Sequence, residues 1–122
     1  MMRTLLAAVA MLALAGTAHA QRYSGVDGTR LLGICTSRDA RVRSSCESYV
    51  AGVSDTITLF QQMAPASGGK LTVPKAVCVP PGTKGSALAE AVVTWLRSHP
   101  ADGKRPAVAV VDRVLRQQYG CK

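Results

Sequence analysis

Between Val42 and Phe60 the apolar residues fall at Val42, Cys46, Tyr49, Val50, Val53, Ile57 and Phe60. Gaps of three and four dominate, which is the repeat of an α-helix and not the alternation of a strand. A long helix is predicted here, with Asp39 as N-cap after the polar turn Thr36-Ser37-Arg38. Beside the apolar stripe run Ser45, Ser48, Gly52 and Thr56, small residues that let another helix backbone approach closely. A shorter helix precedes it, capped by Asp27 and presenting Leu31, Leu32 and Cys35.

From Ala64 to Lys75 the period breaks. Pro65, the Ser67-Gly68-Gly69 cluster and Pro74 predict a mobile surface loop, the kind of segment that often carries binding contacts. Val73 and Val77 with Cys78 add a short extended piece, and Pro80-Pro81-Gly82 sets a turn. Thr83 or Ser86 then caps a third helix that buries Leu88, Val92, Trp95 and Leu96 and stops at Pro100. Pro106 suits the first position of a fourth, in which Ala107, Val110, Val111, Val114, Leu115 and Gln118 or Tyr119 keep the period as far as Gly120. Val108 to Val111 also reads as a strand. Helix is preferred, because Asp112, Arg113, Arg116 and Gln117 gather on the opposite face and a lone strand has no partner. The expected fold class is all-α, a compact bundle of about four helices.

Composition matters first at the N-terminus. Arg3 precedes an unbroken apolar run from Leu5 to Gly16, and Ala18-His19-Ala20 is a small-x-small cleavage site before Gln21. Residues 1–20 therefore read as a signal peptide and residues 21–122 as the exported domain, a length that suits one domain. The run falls short of the roughly 20 residues that cross a bilayer, and Thr17 stands where a bacterial lipid anchor needs cysteine. The expected location is the periplasm, without stable membrane insertion.

The formal charge of +8 becomes +7 once Arg3 leaves. A basic surface in the envelope favours acidic proteins, anionic headgroups or cell-wall polymer as partners. Nucleic acid does not fit, since export separates the protein from it and aromatic residues for base stacking make up only 4% of the chain.

Four cysteines, Cys35, Cys46, Cys78 and Cys121, lie in the exported part, and an even count there reads as two disulfides. Three pairings are open on sequence alone. Chain geometry favours Cys35 with Cys46, across the turn between the first two helices, and Cys78 with Cys121, tying the loop exit to the last helix. The chain-entropy model assigns roughly 3 kcal/mol to the shorter bridge and roughly 4 to the longer, comparable to the net stability of a small domain. Zinc binding and thiol-disulfide exchange both call for closely spaced cysteines such as Cys-x-x-Cys, which the chain lacks.

The remaining candidates favour structural roles. Tyr49 and Trp95 read as core residues, Asp55 as a charge paired with Arg30 or Arg38, and His99 as a group satisfying carbonyls at the end of the third helix. No nucleophile, base and orienting group form a recognisable set, and no two carboxylates pair as in hydrolases, so the chain is not expected to be an enzyme. Lys84-Gly85-Ser86 lacks the preceding glycine and strand of a phosphate loop.

In order, Leu31-Leu32-x-x-Cys35, Cys46-x-x-Tyr49-x-x-Gly52-Val53-x-Asp55, Cys78-x-Pro80, Val92-Val93-x-Trp95-Leu96-x-x-His99-Pro100, Ala107, Val114-Leu115 and Cys121 form a linear pattern. It resembles the Rap/Tai family of type VI secretion immunity proteins, from about Gly28 to Cys121. The resemblance implies a small helical periplasmic protein, commonly dimeric, that binds a peptidoglycan amidase effector from a neighbouring cell and blocks its active-site cleft. On that reading the loop residues Pro65, Ser67, Gly68, Gly69, Lys70 and Leu71 make the contact, Lys70 and Lys75 steer an acidic effector, and no cofactor or metal takes part. A small periplasmic holdase loosened by low pH ranks second, because seven acidic residues and a single histidine after export give little titratable leverage. An orphan helical binding domain is the third option.

Overall fold

The computed structural model describes residues 25–122, so the signal-peptide segment lies outside the described residues. Four α-helices follow one another: α1 (Gly28–Cys35), α2 (Ala40–Met63), α3 (Gly85–Ser98) and α4 (Ala107–Gln118). Short 3₁₀ turns at Pro65–Ser67 and Pro100–Lys104 punctuate the connections. The expected all-α bundle is what forms, and Val108 to Val111 are helical. Among the described residues the extended pieces are reduced to isolated bridges, Asp27 with Pro106 and Val77 with Gly120.

Caps explain where the first two helices begin. The Asp27 carboxylate accepts from Arg30 N and that of Asp39 from Arg41 N, each at 2.8 Å, filling orphan donors of the first turn. The third helix differs from expectation. Lys84 is its N-cap and offers no side-chain hydrogen bond, while the Thr83 hydroxyl donates to the Pro80 carbonyl at 2.7 Å. The Pro80-Pro81-Gly82 turn, with Gly82 at φ 81°, claims Thr83 before the helix can use it.

All four helices touch one another. Their shared centre is Leu31 of α1, Cys46 and Val50 of α2, Val92 of α3 and Val110, Val111, Val114 and Leu115 of α4, each no more than 1% exposed. The predicted core positions Val42 and Phe60 are instead 38% and 50% exposed. Length is the reason: with 24 residues α2 runs to about 36 Å, whereas α3, with 14, reaches about 21 Å. The long helix therefore overhangs its partners at both ends. Leu59 and Met63 beside Phe60 are exposed for the same reason.

Both bridges take the favoured pairing, Cys35–Cys46 and Cys78–Cys121, and no cysteine is free among the described residues. The first holds α1 against the start of α2. A second junction closes the other side of α1. Gly28 N donates to the Arg105 carbonyl and Ala107 N to the Val26 carbonyl, both at 2.9 Å, and a Cβ on Gly28 would meet the Asp102 carbonyl oxygen at 2.6 Å. Only glycine admits that approach.

Candidate functional site

The Ala64–Lys75 segment leaves α2 and returns to the frame before α3, and the structure gives it more internal order than its composition predicts. The Ser67 hydroxyl donates to the Ala64 carbonyl at 2.7 Å and accepts from Leu71 N at 3.0 Å, which closes the turn from within. Gly68 and Gly69 follow at φ 62° and 82°, a left-handed pair that other residues adopt only with strain. The exit is held more firmly. The Gln61 amide donates to the Val77 carbonyl at 2.9 Å and accepts from Val77 N at 2.7 Å. Cys78 N donates to the Tyr119 carbonyl at 2.7 Å, Cys121 N to the Ala76 carbonyl at 3.0 Å, and Arg116 Nη1 to the Lys75 carbonyl at 2.5 Å. The Cys78–Cys121 bridge is superimposed on this pairing.

Of the six residues expected to make contact, Pro65, Gly68, Gly69 and Lys70 are exposed. Ser67 and Leu71 are half-buried, and both act inside the loop: Ser67 through its hydroxyl, Leu71 as the wall of a small cavity. That cavity, about 300 Å³, lies between the loop residues Leu71 to Pro74 and the α2 residues Thr56, Ile57 and Phe60. It runs on into a larger one of about 550 Å³, with which it shares Thr56, Ile57 and Asp112. The larger part is walled by Ser48, Gly52 and Val53 of α2 and by Val108 and Ala109 of α4. Together they form one apolar trough along α2.

The small-residue row takes an unexpected place. Ser45, Ser48, Gly52 and Thr56 are all exposed, and Ser48, Gly52 and Thr56 line the trough, so the space predicted for another helix of the fold is open. Asp112 at its edge is gripped by Arg116, whose Nη2 and Nε donate to the two carboxylate oxygens at 2.7 and 2.9 Å. Asp55 faces elsewhere, beside Ser54, Thr58, Val79 and Thr83, and forms no ion pair among the described residues. Neither expected partner, Arg30 or Arg38, pairs with it among the described residues.

At the far end of the bundle Asp102 ties three elements. Trp95 Nε1 donates to it at 2.8 Å, Arg105 Nε approaches to 3.2 Å and Arg113 Nη1 to 3.4 Å. The indole hydrogen bond, with help from the charges of Arg113 and Arg105 and against the effect of burial, holds this carboxyl below the ordinary carboxylate value. His99 stacks on Trp95 with ring centroids 3.7 Å apart and sets Nδ1 3.0 Å from the Trp95 carbonyl, the carbonyl-satisfying role expected of it. Sequence reasoning missed Asp102, Gln61 and the α4 wall of the trough. An aspartate in a Pro-Ala-Asp-Gly turn and a glutamine late in a helix carry no local mark of a distant partner.

Among the described residues no three His, Cys, Asp or Glu gather as a metal site, and no helix is long and apolar enough to cross a membrane. The arrangement offers shape and charge: a disulfide-stapled helical frame that presents a braced loop beside an apolar trough. These are the features of a small protein-binding domain. Residues 27–121 match the family model of Rap1a immunity proteins, and the chain belongs to that family. Neither the curated proteins nor the solved structures include a match to the chain.

Proposed function

We propose that this chain is a periplasmic immunity protein that binds a type VI secretion peptidoglycan amidase effector and occludes its active-site cleft with the Ala64–Lys75 loop. The observation that carries the reading is the bracing of that loop, by Ser67 within it and by Gln61, Arg116 and Cys78–Cys121 at its exit, in a member of an immunity-protein family. A loop already held in one shape loses little conformational freedom when it enters a cleft, so more of the contact energy appears as affinity. Pro65, Gly68, Gly69 and Lys70 are its exposed contacts, and Lys70 with Lys75 steers an acidic surface into place. The mechanism is steric and requires no catalytic step from this chain.

The test is co-expression, in the periplasm of a susceptible host, with a type VI secretion peptidoglycan amidase effector. Wild-type protein is expected to restore growth. Replacing residues 65–71 by a glycine linker is expected to abolish protection and leave the far-ultraviolet circular dichroism unchanged. Full protection by the linker variant would place the inhibitory contact elsewhere.

A further inference from the structure

A second kind of cavity, about 320 Å³, opens between α2 and α3 at the end of α2 opposite the loop. Its buried lining is Ala89 and Cys46, the latter bridged to Cys35. Around these stand four charged side chains, Arg43 and Glu47 of α2 and Glu90 and Arg97 of α3. The charges are sorted by sign. Gly85, at the start of α3, lies against Glu47, whereas Arg97, near its end, also borders Thr29 and Leu32 of α1. The two helices therefore run in opposite directions past the cleft, and on each of them the carboxylate is the charge nearer the start of α3. Both acids lie toward one end and both guanidinium groups toward the other.

None of the four enters an ion pair among the described residues. Arg43 and Glu47 are four positions apart, a spacing at which helical charges meet. Arg43 is held elsewhere: its Nη1 donates to the Ser37 and Arg38 carbonyls at 2.7 and 3.0 Å, which fixes the guanidinium beside the α1–α2 turn and leaves Nε and Nη2 available. A cation so near the start of α2 opposes the dipole of that helix, so helix stability does not call for it. Measured along the axes, opposite charges are about 6 Å apart on α2 and about 10 Å apart on α3. An extended chain gains at most about 3.6 Å per residue, so about two or three residues reach from a free amino group to a free carboxylate over these separations.

We propose that this cleft binds short peptides of about two or three residues with both ends free, the α-ammonium received by Glu47 and Glu90 and the terminal carboxylate by Arg43 and Arg97. The guanidinium fork suits a carboxylate, and Arg43 is aimed before the ligand arrives. The peptide backbone crosses Ala89 and Val93 between the two ends. Recognition of the termini selects by length and by free ends, with little demand on the side chains. The site is separate from the loop and does not depend on the immunity reading.

The probes are the dipeptide Ala-Ala, its N-acetyl and C-amide derivatives, and free alanine, each titrated into isotope-labelled protein. Ala-Ala is expected to shift the amides of Glu47, Ala89 and Val93, to leave Gly52 and Ala109 of the trough unmoved, and to saturate with a Kd of about 1 mM or below. Blocking either end should weaken binding about five- to tenfold, and alanine, too short to reach both ends, should bind at least about tenfold more weakly. Glu90 and Arg97 are exposed and in no ion pair among the described residues, so their variants keep the fold. Glu90→Gln is expected to weaken Ala-Ala about fivefold yet leave the N-acetyl form unchanged, and Arg97→Gln to weaken Ala-Ala similarly yet leave the C-amide unchanged. This matching of each variant to one blocked end is a readout that a general change of surface charge does not give. Absence of saturable shifts up to about 10 mM, equal affinity for free and blocked dipeptides, or a variant that weakens its matching blocked form as much as the free one overturns the proposal.

Discussion

Alanine in place of glycine should act in opposite directions at two positions of this bundle. At Gly28 the new Cβ would meet backbone atoms, the Asp102 carbonyl oxygen at 2.6 Å and Gly103 Cα at 3.0 Å, and the Leu96 side chain at 3.0 Å. Backbone cannot step aside as a flexible side chain does, so relief requires α1 to move away from the Pro100–Lys104 turn. Overpacking of this kind costs about 1–3 kcal/mol, and weakening the bond from Gly28 N to the Arg105 carbonyl adds about 1. Gly28→Ala is therefore expected to destabilise by about 2–4 kcal/mol. Gly52 lies in the interior of α2 with open space around its missing Cβ, so Gly52→Ala gains helix propensity and stabilises by about 0.8–1 kcal/mol. For a domain of this size each kcal/mol moves the midpoint by about 4–8 °C. Thermal unfolding followed at 222 nm, with urea titration as a check on the slope, should show a fall of about 8–32 °C for the first variant and a rise of about 3–8 °C for the second. A change of the same sign in both would refute the claim that room for a Cβ, and not glycine's backbone entropy alone, decides the outcome.

Two further outcomes follow from the cross-links and from Asp102. Removing the longer bridge as Cys78→Ala/Cys121→Ala should cost about 4 kcal/mol on the chain-entropy model for a separation of 43 residues, with amide exchange rising at Val77 and Cys121 before it rises in α1. A loss below about 1 kcal/mol would mean that the Gln61 clip and the backbone pairing already hold these ends. Asp102 titrates below its ordinary value of 3.8 in the folded chain, so its contribution is complete above that value and is lost as pH falls through the lower, folded one. Urea midpoints of Asp102→Asn should lie below wild type at pH 7 and converge with it in acid below about pH 4; a constant gap down to pH 2 would count against this titration.

How much of the fold could be read in advance depends on the reach of each signal. Helical periodicity is local, and so the stripe from Val42 to Phe60 and the valine-rich face of α4 placed their helices correctly. The caps Asp27 and Asp39 are local as well, and both act as expected. The disulfide pairing followed from helix order, because Cys35 and Cys46 flank one turn. Contacts set by packing were out of reach. Asp102 meets Arg113 across a helix junction, and Gln61 meets Val77 sixteen positions away. Thr83 was misassigned because two uses compete for its hydroxyl, and the tighter turn takes it. The loop was found from its prolines and glycines, but composition could not reveal that Ser67 and Leu71 face inward. The trough is the clearest case. Ser48, Gly52 and Thr56 were recognisable as a face where a helix fits, yet whether this chain fills that face depends on where α4 lies.

The same frame bears on the choice between a single-partner inhibitor and an acid-loosened holdase. A holdase that protects many clients in acid must give up tertiary contacts under mild acid to expose apolar surface. Here the junction of α1, α3 and the Pro100–Lys104 turn depends on a carboxylate held below the usual range by the Trp95 indole and by Arg113 and Arg105. Protonation reaches that junction only below the ordinary carboxylate value. The two disulfides oppose loosening by a route that pH does not touch, closing both the α1–α2 turn and the loop exit. Each of these features keeps the relative placement of loop and trough constant. A constant placement is of little use for gripping unlike clients, whereas a single partner met by one braced loop depends on it.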